Sequence, residues 1–199
     1  IDGQNFRHRD LRLKFTAPTG FGMQNTQQAV MVSGNSGQAM FTTAAYSGNK
    51  SVYMDAAFKA VVGKDQTVDY GNIQQTTVNG IPAFYASTVV NTQQGQRRLT
   101  VFAYEFSGNQ AFHFVTVTAS DAAVFDPMFA SVARLSSSEA SAIKARKIKI
   151  VTVGRNDTIA SLSNQMAYGD LKVDRFLALN GLRSNATLAA GKKVKIVTY

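Results

Sequence analysis

Three long alternating runs in the middle of the chain constrain its fold more than any other feature. Ile81–Val90, Arg98–Phe106 and Ala111–Thr118 are separated by the polar segments Gln93-Gln94-Gly95-Gln96 and Ser107-Gly108-Asn109-Gln110. Such short, glycine-bearing reversals join antiparallel neighbours, because a parallel return needs a crossover of a dozen or more residues. Phe102, Tyr104, Phe106, Phe112 and Phe114 alternate along the last two runs as core-facing residues do.

The segments before and after these runs complete an α+β pattern. Leu11-Arg12-Leu13-Lys14-Phe15 alternates, which puts its apolar residues on one face, and Ala17-Pro18-Thr19-Gly20 ends that strand. Ala29–Ser33 and Gln38–Tyr46 are further strands flanking the turn Gly34-Asn35-Ser36-Gly37. A helix is expected from a Ser51 cap to Gly63, and a second from Ser120 or Asp121 through Phe125, Met128, Phe129 and Val132. An antiparallel sheet with two helices over 1–135 is an α+β domain.

The chain has 199 residues, enough for one or two domains, and a folded composition with 45% hydrophobic and 17% charged residues. No apolar run approaches the ~20 residues of a membrane helix. Because the chain opens at Ile1 and not at methionine, a further part is expected upstream. With no cysteine, disulfides, thiolate metal sites and cysteine nucleophiles are all excluded. The net charge of +9 is uneven: ten Lys/Arg face eight Asp/Glu in 1–135, but eleven face four in 136–199. That bias suits anionic material, although the positive residues are scattered and also fit a solvated basic surface.

Ser136-Ser137-Ser138-Glu139 combines a polar joint with a capping-box pattern, so 136–146 is expected to be a linker with a short helix. Beyond it, Lys147–Val153 alternates charged and apolar residues as a half-buried strand does. Gly154-Arg155-Asn156-Asp157 is a turn, with Asp157 placed to cap a helix at 158–162. A second helix holds Leu171, Val173, Phe176, Leu177 and Leu179 and stops at Asn180-Gly181. After a turn at Leu188–Gly191, Lys193–Ile196 closes a βααβ unit.

The order and spacing of Val153, Asp157-Thr158, Ile159, Leu162, Phe176, Leu179-Asn180, Leu188, Gly191, Val194 and Ile196 resemble a LysM module over 147–199. Asn156 stands where that pattern has glycine, and the stretch between the helices is longer than usual. The resemblance implies a shallow groove for N-acetylglucosamine polymers, peptidoglycan or chitin, between loops 154–158 and 180–188. Its implied sugar-binding residues are Asn156, Asp157, Thr158, Asn180, Leu182, Ser184 and Asn185. A degenerate module kept only for packing is the competing reading.

A second resemblance rests on Asn5-Phe6-Arg7-His8-Arg9-Asp10-Leu11, on Phe15-Thr16-Ala17-Pro18-Thr19-Gly20-Phe21 and on Asn25-Thr26 with Ala29-Val30. These resemble the region after the catalytic domain in bacterial envelope zinc metallopeptidases of the CAAX-prenyl-protease type. Arg9 replaces a frequent proline of that pattern. Some members end in a LysM-like module introduced by a stretch like Arg134-Leu135-Ser136 with Glu139-Ala140. The resemblance implies a non-catalytic C-terminal region in the periplasm or cell envelope of a bacterium. Its implied partners are an upstream peptidase domain, peptidoglycan and envelope proteins.

The chain itself lacks catalytic motifs. A zinc peptidase of that kind needs His-Glu-x-x-His, but the histidines here are His8 and His113, the glutamates are Glu105 and Glu139, and no histidine precedes a glutamate. No catalytic or metal residue and no cofactor is therefore expected in this chain, any zinc belonging to the upstream domain. His113 reads as a packed strand residue and His8 as a positioning residue. Phosphate-loop and nucleophile-elbow motifs are absent. Nucleic acid is disfavoured, since no aromatic RNA-binding motif accompanies the charge. A stand-alone peptidoglycan-binding or interaction protein, with no peptidase partner, is the alternative.

Overall fold

The alternating runs close into one large sheet. In the computed structural model, which describes residues 1–63, 68–93, 95–119 and 123–199, the chain separates into two units, 1–140 and 141–199. The first begins with strands β1 (Asn5–His8), β2 (Leu13–Thr16), β3 (Gly22–Asn25), β4 (Val30–Gly34) and β5 (Gly37–Ala45), followed by helix α1 (Lys50–Val62). Strands β6 (Gln74–Val78), β7 (Ile81–Thr92), β8 (Gly95–Ser107) and β9 (Gln110–Ala119) come next. Helix α2 (Asp126–Ser131), strand β10 (Ala133–Arg134) and helix α3 (Ser137–Ala142) follow.

A seven-stranded antiparallel sheet has the order β3-β4-β5-β9-β8-β7-β6, and a three-stranded sheet has the order β1-β2-β10. Phe102 lies opposite Phe114 and Tyr104 opposite Phe112, so the aromatic alternation of β8 and β9 falls on one face. On that face Phe41, Phe102, Tyr104 and Phe114 form a core with Phe6, Leu13 and Phe15 of the small sheet and with Met128 and Phe129 of α2. The other face carries Phe84, Leu99, Val101 and Val115, covered by Tyr53, Met54, Ala57 and Phe58 of α1. The unit is thus α+β, with two sheets, the two helices α1 and α2, and the short helix α3 in the serine-rich joint. The additional strands β1, β3, β6 and β10 are short.

Two helix starts differ from expectation. Asn49, not Ser51, caps α1, its side chain accepting the Val52 N–H at 3.1 Å. Asn is as good a cap as Ser, and its position leaves Ser51 inside the first turn. Helix α2 starts at Asp126 and not near 120, with Pro127 in its first turn. A start at 120 or 121 would bury that proline in the helix interior, where its ring opposes the preceding turn. Residues 120–122, like Gln94 of the expected 93–96 turn, lie outside the described residues.

The serine-rich stretch folds onto the first unit. Ser136 and Glu139 form the reciprocal capping box, with the Glu139 N–H donating to Ser136 Oγ at 3.1 Å and the Ser136 N–H donating to Glu139 Oε2 at 2.8 Å. Glu139 also pairs with Lys14 Nζ of β2 at 2.5 Å, which holds its carboxyl at about 2, below the usual carboxylate range. Residues 143–146 form neither helix nor strand.

The second unit contains β11 (Lys147–Thr152), α4 (Ile159–Asn164), α5 (Lys172–Asn180) and β12 (Lys193–Thr198). Antiparallel β11 and β12 make a two-stranded sheet. Val153, Leu162, Met166, Phe176, Val194 and Ile196 are its buried centre. The alternation of β11 does not bury its isoleucines: Ile148 and Ile150 are each 63% exposed. Ile150 lies opposite Lys195, whereas Val151 lies opposite the buried Val194. The apolar phase therefore breaks between Ile150 and Val151, and the inward set starts at Val151. Leu171 and Val173, expected on the apolar side of the second helix, are likewise exposed, Leu171 lying just before α5 in a left-handed conformation at φ 46. None of the described helices is long and apolar enough to cross a membrane.

Candidate functional site

The loop at 154–158 is built by its own side chains. Asp157 does not cap α4; its Oδ2 accepts the Gly154 N–H at 2.7 Å and closes the turn. The cap is Thr158, whose Oγ1 accepts the Ser161 N–H at 3.0 Å, while the Thr158 N–H donates to Ser161 Oγ at 2.9 Å. A Thr–Ser capping box leaves Asp157 free for the turn, which is why spacing alone misassigned the cap. Asn156 is exposed at the tip. It is not among the non-glycine residues with positive φ, which are Arg12, Asn79 and Leu171. The turn therefore does not demand the glycine that the sequence pattern would place there.

The loop at 180–188 starts from a helix stop. Gly181 takes φ 61, its N–H reaching the Ala178 carbonyl at 3.2 Å, and the Leu182 N–H reaches Leu177 O at 2.9 Å. This is the Schellman arrangement, and it turns Leu182 back onto the core, where it is half-buried. The Asn180 side chain is occupied: Oδ1 accepts the Lys195 N–H at 2.7 Å, and Nδ2 donates to Lys195 O at 2.9 Å and to Phe176 O at 3.0 Å. Ser184 and Asn185 are exposed, on a turn closed by the Ala186 N–H to Arg183 O at 3.0 Å.

The seven residues singled out from the sequence thus divide by environment. Asp157, Thr158 and Asn180 spend their side chains on the fold, and Leu182 contributes to the core. Asn156, Ser184 and Asn185 present theirs to solvent. The strand ends are tied beside the first loop by Val153 N–H to Lys192 O and Gly191 N–H to Val153 O, both at 2.8 Å.

The long stretch between α4 and α5 holds a feature that no pairwise spacing indicates. Tyr168 lies against the guanidinium groups of Arg146, 4.7 Å from its ring centroid, and Arg175, at 4.6 Å. Arg175 also pairs with Asp170 at 3.1 Å. These cation–π contacts cover the ring with charge and use part of the basic excess internally.

In the first unit both histidines have structural surroundings. His113 is 2% exposed, and its Nδ1 lies 2.8 Å from the Tyr53 hydroxyl, whose proton goes to Ala111 O at 3.1 Å. Burial pushes His113 down to about 4. His8 Nδ1 accepts the Leu11 N–H at 3.2 Å and steadies the turn between β1 and β2. Among the described residues, no group of three or more His, Asp or Glu side chains is placed to hold a metal ion.

Comparison with known proteins identifies one family. The model of the LysM domain matches residues 151–197, so the C-terminal part of this chain carries a LysM domain. A solved structure from Bacteroides thetaiotaomicron VPI-5482 is similar at a TM-score of 0.49 and 10% identity, covering 82% of this chain. The alignment takes in 57% of that protein, so the chain spans little more than half its length. No curated protein matches the chain.

Proposed function

We propose that the 141–199 unit binds the N-acetylated glycan of peptidoglycan and tethers the chain to the bacterial cell wall. The observation that carries this reading is the LysM match over 151–197, since LysM domains are typical of wall-binding proteins. The two loops supply what such a ligand requires: backbone groups held in fixed turns, and the unoccupied side chains of Asn156, Ser184 and Asn185 for hydrogen bonds. Leu182, half-exposed at the helix stop, offers an apolar edge to an acetyl methyl. Asp157, Thr158 and Asn180 hold the loops in shape. Exposed Arg183, Lys192 and Lys193 favour anionic peptidoglycan over neutral chitin.

On this reading the 1–140 unit is the non-catalytic region that follows the peptidase domain of an envelope zinc metallopeptidase, where it docks substrate or partner proteins. The sequence resemblance at 5–30 supports that assignment, and the placement is the periplasm or cell envelope. Two experiments test the two parts. Sedimentation of the full chain with insoluble peptidoglycan is expected to carry it into the pellet, and a triple Asn156→Ala, Ser184→Ala, Asn185→Ala variant is expected to stay in solution. Retention of the variant in the pellet would contradict the assigned loops. A His-Glu-x-x-His motif encoded upstream of Ile1 is expected; a gene without one would favour the stand-alone binding protein.

A further inference from the structure

The first unit contains a cleft of about 610 Å³, within the range of small-molecule sites. It lies on the face of the seven-stranded sheet that carries the aromatic core, beside α2, where the rings give way to hydroxyls. Phe102 and Phe129, stacked with ring centroids 4.7 Å apart, form its apolar wall. Ser87, Thr100, Thr116 and Thr118 supply its floor, which the register places on adjacent strands: Ser87 lies opposite Thr100, and Thr100 opposite Thr116.

The floor is not uniformly satisfied. Ser87 and Thr100 bond each other at 2.7 Å. Thr116 and Thr118 are only 3% and 5% exposed, yet neither hydroxyl forms a hydrogen bond to another described residue, and both line the cleft. Neither oxygen is among the described buried polar atoms left without a partner, so both hydroxyls reach into the open space of the cleft and meet their hydrogen-bonding needs there, a need that valine, the near-isostere, would not have. The same strand uses valine at Val115 and Val117, on the opposite face. On β9, hydroxyls therefore stand only on the face that opens into the cleft. Arg98 and Asp126 also line it, one of each sign, so charge does not set the ligand class.

We propose that this cleft binds a small amphipathic organic molecule. Its apolar end lies against Phe102 and Phe129, and its oxygen-bearing polar end accepts hydrogen bonds from Thr116 and Thr118. The site is independent of wall binding by the other unit. The test uses the full chain and 1-anilinonaphthalene-8-sulfonate, whose rings and sulfonate match the two ends of the cleft, with near-UV circular dichroism confirming a native fold throughout. One saturable site per chain is expected. The double variant Thr116→Val, Thr118→Val is expected to bind about tenfold more weakly or worse, from the loss of two hydrogen bonds. Ala130→Trp, at an exposed cleft-lining position of α2, is expected to abolish binding by filling the space. Absence of saturable binding, or affinity unchanged in both variants, would overturn the proposal.

Discussion

The side chain of Asn180 pairs with the backbone of Lys195 as a strand would, accepting its N–H at 2.7 Å and donating to its carbonyl at 2.9 Å. One side chain thereby satisfies a backbone edge of β12 that has no strand beside it. Asn180→Ala removes these bonds and the one to Phe176 O, and is expected to destabilise the second unit by about 2–3 kcal/mol. Urea titration of the full chain, followed through amide signals of 147–198, checks this. An unchanged midpoint for those signals would show that the clamp contributes nothing.

Acid sensitivity of the first unit is expected from His113. Its folded value of about 4 lies below the unfolded value near 6.5, because burial disfavours the charged ring. Between these values the unfolded chain binds more protons, so this contribution is complete above 6.5 and is lost as pH falls toward 4. At pH 5 the loss is about 2 kcal/mol relative to pH 7. Denaturation at the two pH values is expected to show that loss, and His113→Gln is expected to flatten it whatever its own stability.

A side chain at Gly34 is expected to be destabilising. A Cβ there would stand 2.8 Å from the Phe21 ring, which packs edge-on against Phe125 at 5.3 Å between centroids. The ring has little room to retreat, so Gly34→Ala is expected to cost about 1–3 kcal/mol by overpacking. The combination with Phe21→Leu is expected to recover part of that cost, which a double-mutant cycle measures.

Trypsin is expected to cut the native chain first at Lys144 or Arg146. These residues are exposed and lie in a segment that is neither helix nor strand. The preceding serines are held by the capping box and by the Lys14–Glu139 pair. Mass spectrometry of the first fragments should give pieces ending at one of these residues. First cuts inside β7–β9 would contradict the described division.

Much of the first unit was legible because its central strands announce themselves. Phe102, Tyr104, Phe112 and Phe114 are spaced for a sheet with one aromatic face, and the glycine-bearing reversals leave one way to connect them. The edge strand β6 was not legible: Gln74-Gln75-Thr76-Thr77 has no apolar alternation, since its hydrogen bonds to β7 and not its side chains make it a strand. In the second unit the pattern of leucines and glycines gave the βααβ order. It did not tell that Ile148 and Ile150 face outward, because alternation fixes which residues share a face and not which face is covered. The candidate site was half legible. Loop positions follow from Asp157-Thr158 and Asn180-Gly181, but whether a polar side chain faces solvent or closes a turn depends on backbone geometry that composition does not carry. The Thr116–Thr118 floor escaped for the opposite reason: threonine is an ordinary strand residue until its neighbours are known.

The proposed wall-binding site is the pair of loops at 154–158 and 180–188 in the LysM domain. Its most direct measurement is the titration of the isotope-labelled full chain with a soluble peptidoglycan disaccharide-peptide, read residue by residue as amide shifts. Weak, saturable shifts are expected at 154–158 and 180–188, with Asn156, Ser184 and Asn185 among them and the 1–140 amides unmoved. No shift at millimolar ligand, or shifts confined to 1–140, would contradict that site.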